Sequence, residues 1–364
     1  MTSIKIFENL PDPRKANPNT QYSVAQIVFQ TIAAVASGCD HWTEIEDFGE
    51  DRKEWISKFV PVGETMPSHD TISDFFKRLN PDAFSLVFIE WTKAICSLTD
   101  GEVIALDGKT VRRSHDKYNG KEAIHLVSAW ASTGRIVLGQ QAVDTKSNEI
   151  TAIPDLLKLL EIKGAFVTID AMGCQQKIAE QIISQEADYI LAVKGNQKEL
   201  LEGVEDCFKL QKVTSQHTDI NKDHGRAEIR TCSVIEHPTE ILNIEKWPSL
   251  TSVIRVDSKR EILSEKKTTE ESRYYICSQA LKASEALGKI RSHWSIENNL
   301  HWNLDVAFAE DQSRMRMGNE DKNYALVRKI VINLVSLDKT KLSIQRKRLK
   351  ASRSDAFRQQ LLRI

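Results

Sequence analysis

No stretch of this 364-residue chain is long and apolar enough to span a bilayer. The best run, Ile27 to Ala36, carries Gln30 and Thr31 in its midst. The first residues, Met1-Thr2-Ser3-Ile4-Lys5, lack the charged-then-apolar layout of a secretory signal. A membrane partner is therefore not expected, and the reading is cytoplasmic. Cysteine is scarce and scattered. Cys39, Cys96, Cys174, Cys207, Cys232 and Cys277 form no C-x-x-C pair, which excludes a zinc ribbon by spacing and favours reduced thiols over a disulfide framework. Net charge is also lacking: at −1, bulk electrostatics do not announce a nucleic-acid partner. There is no internal repeat and no low-complexity segment.

What is present is ordinary globular composition, 41% hydrophobic and 28% charged, over a length that suits two or three compact units. Residues 1–20, with Pro11, Pro13 and Pro18, read as irregular surface. From Gln21 to about Leu98 the period is helical. Ser23 opens a helix that is apolar nearly all round and stops at Gly38, and Ser68 is a candidate N-cap for a short helix to Leu79. That helix and the one before it could form a DNA-reading helix-turn-helix, or could simply pack on the core. From 102 the period changes. Strands are predicted at Val103–Leu106, His125–Ala131, Arg135–Gln140, Ala165–Ile169 and Tyr189–Val193, with helices over Ile150–Leu160, Gln175–Gln185 and Asn196–Phe208. Three β-like runs, 231–235, 252–256 and 273–277, lie in a segment of different texture. Helices return at 284–300 and 320–337. The fold class is α/β, a mixed sheet covered by helices. Lys339 to Arg363 holds nine Lys or Arg against Asp355 alone, which suits either a phosphate-binding arm or a solvated helix end.

Two carboxylates stand at strand ends. Asp107 follows the apolar run Val103–Leu106, and Gly108 is expected to break the strand at once; Asp170 follows Ala165–Ile169. Carboxyl ends of strands are where sites of open α/β sheets collect. Glu297 lies far downstream in a helical, aromatic stretch. Three such acids suit two divalent metals acting on phosphodiesters, because hard cations take oxygen ligands and need only one or two carboxylates each. Asp107 would bridge both ions. Each acid alone has a plainer reading: a turn at Asp107-Gly108, a helix cap at Asp170, a solvated acid at Glu297. Lys109, Arg112, Lys194, Asn196, His224, Arg226, Arg291, His293, Asn298 and Trp302 gather around these positions and suit contacts to DNA phosphates or, for Trp302, stacking on a base. His293, Glu297 and His301 recur at helical spacing and could also be read as a transition-metal stripe; Trp294 and Trp302 could be core.

Taken in order, Ala-Leu-Asp107-Gly-Lys-Thr, Ile-Asp170-Ala, Val-Lys194-Gly-Asn-Gln, His224-Gly-Arg and His293-Trp-Ser-Ile-Glu297-Asn resemble the DDE transposases of bacterial insertion sequences, in particular the H-repeat-associated proteins. The resemblance implies a ribonuclease-H-like core with a β-strand insertion between the second Asp and the Glu, and an N-terminal all-helical domain. The expected divisions are 1–98 (helical, transposase-associated), 99–211 and 281–338 (core), 212–280 (β-rich insertion) and 339–364 (basic tail). It implies Mg²⁺, with Mn²⁺ as substitute, held by Asp107, Asp170 and Glu297. It implies cleavage at transposon ends, joining of 3′-hydroxyl ends to target DNA, double-stranded DNA as partner, a homodimer or higher assembly on that DNA, and a place with the bacterial nucleoid. The Tyr, Arg, Glu, Lys signature of the wider superfamily is not kept: His293 stands at the Arg position and Leu304 at the Lys position. Other readings are a nuclease of the same fold that does not join strands, a domesticated or inactive DNA-binding copy, and a metal-bound phosphatase.

Overall fold

A computed structural model of the chain describes residues 3–14, 21–116, 118, 120–143, 148–223, 226–262 and 267–364. These fall into two compact units, one made of Met1–Ser97, Gly108–Lys146 and Glu297–Ile364, the other of Leu98–Asp107 and Ser147–Ile296. Among the described residues no helix is long and apolar enough to cross a membrane, and all six cysteines are free.

The first unit is mostly helical: α1 (Val24–Ala36), α2 (Trp42–Asp51), α3 (Lys53–Ile56), α4 (His69–Arg78) and α5 (Pro81–Ile95), then a β-hairpin, then further helices. Local chemistry sets the helix ends. The Ser23 side chain accepts from the Gln26 N–H, and α1 ends before Gly38, whose φ of +100° suits glycine. Ser68 accepts from Thr71 N–H at the start of α4, as expected, and Asn80 caps α5 with Pro81 in its first turn. Strands β2 (His125–Ala131) and β3 (Ile136–Val143) pair antiparallel with a bulge at Ala129/Trp130. The long helix α11 (Glu320–Leu337) is buried along nearly its whole length and packs on α1, α4, α5 and β3. Asn333 on α11 bonds both backbone groups of Val137 beside the bulge, at 2.8 and 2.9 Å. Trp42 stacks on Phe76 at 5.4 Å and meets Tyr324 edge-on at 4.9 Å, so α2, α4 and α11 share one aromatic core. Helix α4 is a packing helix. Its apolar face, Ile72, Phe75 and Phe76, is buried, and its first turns carry Asp70 and Asp74, with Glu46 of α2 beside His69. Those are the wrong charges for the DNA-facing end of a recognition helix.

The second unit is built on a sheet of order β1-β4-β5-β9-β8-β7-β6. Strands β1 (Val103–Thr110, entering the first unit after Asp107), β4 (Phe166–Ile169) and β5 (Asp188–Val193) are parallel neighbours. Helices α6 (Glu149–Leu159), α7 (Gln176–Ser184) and α8 (Lys198–Leu210) alternate with them. With the β2–β3 hairpin next along the chain, this is the ribonuclease-H-like core that the resemblance implied. The segment after α8 folds as β6 (Ser215–Asp223), β7 (Arg226–Glu236), β8 (Ser252–Ile262) and β9 (Lys267–Cys277), all antiparallel, and β9 pairs with β5. The insertion therefore widens the core sheet. Helix α9 (Ala283–His293) covers one face of it, with Ala286, Leu287 and Ile290 against Val103, Phe166, Ile190, Val234 and Ile254. Burying each of these Leu, Ile or Val side chains contributes about 1.5–3 kcal/mol.

Two expectations fail, and one strand was missed, for physical reasons. Strand β1 does not break at Gly108 but runs to Thr110. Strand β6 was not legible because SQHTDINKD carries no apolar alternation; its ladder with β7 makes it a strand. The basic C-terminal segment is folded rather than a free tail, as α12 (Ile344–Arg353) and α13 (Asp355–Leu362). Arg358 is 0% exposed, lies over Phe48 and Trp55, and bonds Ser37 and Asp355. Arg348 bonds the Val35 and Ala307 carbonyls and Asp40. Lys347 Nζ donates to the Val335 and Asp338 carbonyls. Three cations of this basic segment are thus engaged within the fold.

Candidate active site

In the second unit, Leu106 on β1 pairs with Ile169 on β4 in parallel register. The next residue after each is an aspartate, so Asp107, within β1, and Asp170, just past the end of β4, follow paired residues of neighbouring strands. Asp170 is exposed and caps a single 3₁₀ turn, Ala171–Gly173: its Oδ1 accepts from the N–H groups of Met172 (3.1 Å) and Gly173 (3.4 Å). The cap reading and the site reading therefore coexist, since the turn holds the carboxylate while Oδ2 makes no bond among the described residues. The third parallel strand, β5, ends at Val193 and is followed by exposed Lys194. Asn196, expected at DNA, instead gives its amide to the Ala171 carbonyl at 2.7 Å, and Gln197 bonds Cys174 at 2.9 Å. These bonds tie the loop carrying Lys194 to the turn carrying Asp170.

Beside Asp170 opens a cavity of about 150 Å³, lined among others by Lys194, Arg273, Tyr275, His293 and Trp294. Apolar side chains of β4, β5 and α9 line it together with two cations, Lys194 and Arg273, and two acids, Asp170 and Glu271. Arg273 lies over the Trp294 ring at 5.0 Å and pairs with Glu271 at 2.8 Å. That hydrogen-bonded guanidinium holds the Glu271 carboxyl below its usual range, with Lys194 adding to it. His293 bonds Thr168 Oγ1 at 3.0 Å, from the end of α9 to β4. Arg291 faces Asp219 of β6 at 2.5 Å. Arg273 was not singled out from sequence; nothing in Glu-Ser-Arg-Tyr-Tyr distinguishes it from a solvated strand arginine. Trp294 is 44% exposed, not core.

In the first unit, Glu297 lies in a π-helical stretch, Ile296–His301, that follows α9 and leads into α10 (Trp302–Ala307). Such one-turn departures recur at functional sites. The expected α-helical stripe of His293, Glu297 and His301 is therefore interrupted, because α9 ends at His293. Ile296 and Leu300 are fully buried and anchor the turn, leaving Glu297 exposed. His301 is buried, and burial, then Lys329, Lys109 and His125, push its imidazole down to about 3. At neutral pH the ring is neutral, so its 3.8 Å approach to Glu297 is not an ion pair. Asn298 and Trp302 are exposed, the latter at 58%. Leu304, at the superfamily's Lys position, is core.

Lys109 corrects an expectation. Its side chain is 12% exposed, and Nζ lies 2.7 Å from Asp305, 3.1 Å from Asp311 and 3.3 Å from Glu310. Burial alone would lower its pKa; Glu310 and Asp305 outweigh that and hold it above the ordinary value. A lysine spent on three carboxylates is not available to a phosphate. Arg112 is exposed at 82% and reaches Asp311 at 3.2 Å. Arg226 opens β7, and His224 lies outside the described residues.

The donor set suits a hard divalent cation: carboxylate oxygens on neighbouring strands, one of them pinned by backbone N–H groups. Residues 98–334 match the family described as Transposase DDE domain, and residues 4–92 match its DDE_Tnp_1-associated companion. The chain belongs to the DDE transposase family. The Escherichia coli (strain K12) protein named "H repeat-associated putative transposase YhhI" is 40% identical over 359 residues, spanning 96% of this chain and 95% of that protein. The Escherichia coli O157:H7 protein named "Putative transposase YncI" is 40% identical over 360 residues, spanning 97% of this chain and 92% of that protein. Among solved structures, a piggyBac transposase synaptic complex with hairpin DNA aligns with a TM-score of 0.46 at 12% identity, over 99% of this chain and 80% of that one.

Proposed function

We propose that this transposase cuts DNA at the ends of its insertion sequence and joins the freed 3′-hydroxyls to target DNA, with Asp107, Asp170 and Glu297 as the three metal-binding carboxylates. The observation that supports this best is the pairing of Leu106 with Ile169, which sets two aspartates side by side in a chain of the DDE family. Two divalent cations, Mg²⁺ by the oxygen donors, would supply a nucleophile at neutral pH and relieve charge on the leaving oxygen. Asp107, Asp170 and Glu297 would hold them. The 3₁₀ turn fixes Asp170 by its backbone N–H groups, so little reorganisation is left when a cation binds. Lys194 and Arg273, cationic and beside Asp170, would receive the phosphates of the bound end. Joining two ends calls for at least two copies in the working complex.

The test is a duplex bearing the inverted repeats that flank the gene, incubated with Mg²⁺ or Mn²⁺. Joined products support the proposal, and nicks without joining leave a nuclease of the same fold. Asp107→Asn should abolish cleavage and joining while leaving DNA affinity nearly intact, because a metal ligand and not a phosphate contact is lost. Retained cleavage by Asp107→Asn would overturn the assignment.

A further inference from the structure

Two loops of the first unit carry an arginine surface that the acids above do not use. One, 111–116, follows β1; the other, 313–318, precedes α11. They are stapled together. Arg316 Nε donates to the Arg113 carbonyl at 3.0 Å. Lys121 Nζ donates to the carbonyls of Arg316 (2.8 Å) and Gly318 (2.9 Å) and pairs with buried Asp321 at 2.6 Å. Each loop is also pinned beneath. Buried Ser114 accepts from the Ile124 N–H and donates to the Val111 carbonyl, both at 2.8 Å. Gly318, at φ +55°, sits so close to Lys77 that an added Cβ would lie 2.6 Å from its carbonyl oxygen.

The neighbouring acids are turned to internal work. Asp311 serves Lys109 and Arg112, Asp321 serves Lys121, and Glu320 accepts from the Met317 N–H and from Ser73. Asp116 accepts from the Tyr118 N–H, and exposed Glu122 stands just past the first loop. Arg112, Arg113 and Arg314 are exposed, and among the described residues neither Arg113 nor Arg314 is in an ion pair. Tyr118, 96% exposed, stands among them. A braced backbone that holds guanidiniums outward and turns most of its carboxylates inward suits a regularly spaced polyanion. The planar fork of arginine matches phosphate oxygens two at a time.

We infer that this stapled pair of loops is a docking surface for the sugar-phosphate backbone of duplex DNA, with Arg113 and Arg314 as its unpaired phosphate ligands. The inference rests on the transposase reading and adds to it a sequence-independent grip outside the three acids.

The test measures binding of the full chain, in the absence of divalent metal, to a terminal-repeat duplex and to a scrambled duplex between 50 and 200 mM salt. Each phosphate contact contributes about 0.9 to the slope of log affinity against log salt. The double variant Arg113→Ala/Arg314→Ala should therefore flatten the slope by roughly 1.8 and weaken both duplexes alike, by about tenfold to a hundredfold near 0.1 M salt. Arg113→Lys/Arg314→Lys should keep most of the slope. The single variants Arg113→Gln and Arg314→Gln, at exposed positions, should each carry about half the change. If the wild type binds and the alanine pair binds with the same affinity and slope, this inference is wrong and the transposase reading stands. If the wild type binds neither duplex, both fall.

Discussion

Two regions of this molecule gather charged groups, and they use them in opposite ways. At the carboxyl ends of β4 and β5, Asp170 and Lys194 are exposed, held by backbone and amide bonds from below. Around Lys109 and α11, Glu310, Arg328 and Lys329 are buried, and half-buried Asp311 and more exposed Asp305 close on Lys109; Glu310 is 1% exposed and Arg328 lies 3.9 Å from it. The first arrangement leaves its charges for something that comes from outside. The second is neutralised from within, and its acids are spoken for. The two differ in burial and partners, not in residue type, so an acid count along the chain does not tell a site from a structural cluster.

The largest effect that separates the two should come from Asp170→Asn. Substituting groups that merely support metal ligands costs 10- to 100-fold, so loss of a ligand should lower strand cleavage by more than about a hundredfold. The melting temperature should stay near the wild-type value. A variant that cleaves normally would move Asp170 into the structural class. Lys109→Met should do the reverse: it strands buried Glu310 and its neighbours and should cost about 3–5 kcal/mol in chemical denaturation. The salt dependence of DNA binding should be unchanged. A slope flattened by about 0.9 with stability intact would return Lys109 to the phosphate-contact role.

Lys329 gives a smaller effect with a definite pH signature. It is fully buried, and burial, then Lys109 and Arg328, against the pull of Glu310, bring it down to about 8. The folded state therefore disfavours the charged form. The penalty is fully present below pH 8 and is relieved as pH rises from 8 toward the unfolded value near 10.5. Lys329→Met should thus be the more stable protein at pH 7, by up to about 3 kcal/mol, less the bond to Gln140, and the gap should narrow by pH 10. The difference between the two proteins is the quantity to follow. Buried Cys232 and Cys277, each pushed up to about 12 mainly by burial, lower stability above pH 9 in both alike. A gap that does not change between pH 7 and 10 would mean that the buried amine keeps its proton over that range, as the unfolded chain does.

Much of the local architecture was legible. Ser23 and Ser68 announced helix starts because a short polar side chain satisfies N–H groups that the helix cannot. The runs before Asp107 and Asp170 announced strands because buried parallel strands are apolar on both faces. The order of those runs and of the acids after them already carried the fold class and the family. What the chain order could not carry was which charges end up buried. Lys109 and Lys194 each follow an apolar strand run, yet one is clamped by three carboxylates that lie about 200 positions downstream while the other is open to solvent. Arg348 and Arg358 sit in a stretch with the composition of a DNA-binding arm and are instead sunk against α1 and the Phe48–Trp55 pair. Residue type and spacing determine which elements form and which chemistry is possible. Desolvation and pairing over long chain separations decide which of the like-charged groups perform it, and those depend on distances that only the folded chain sets.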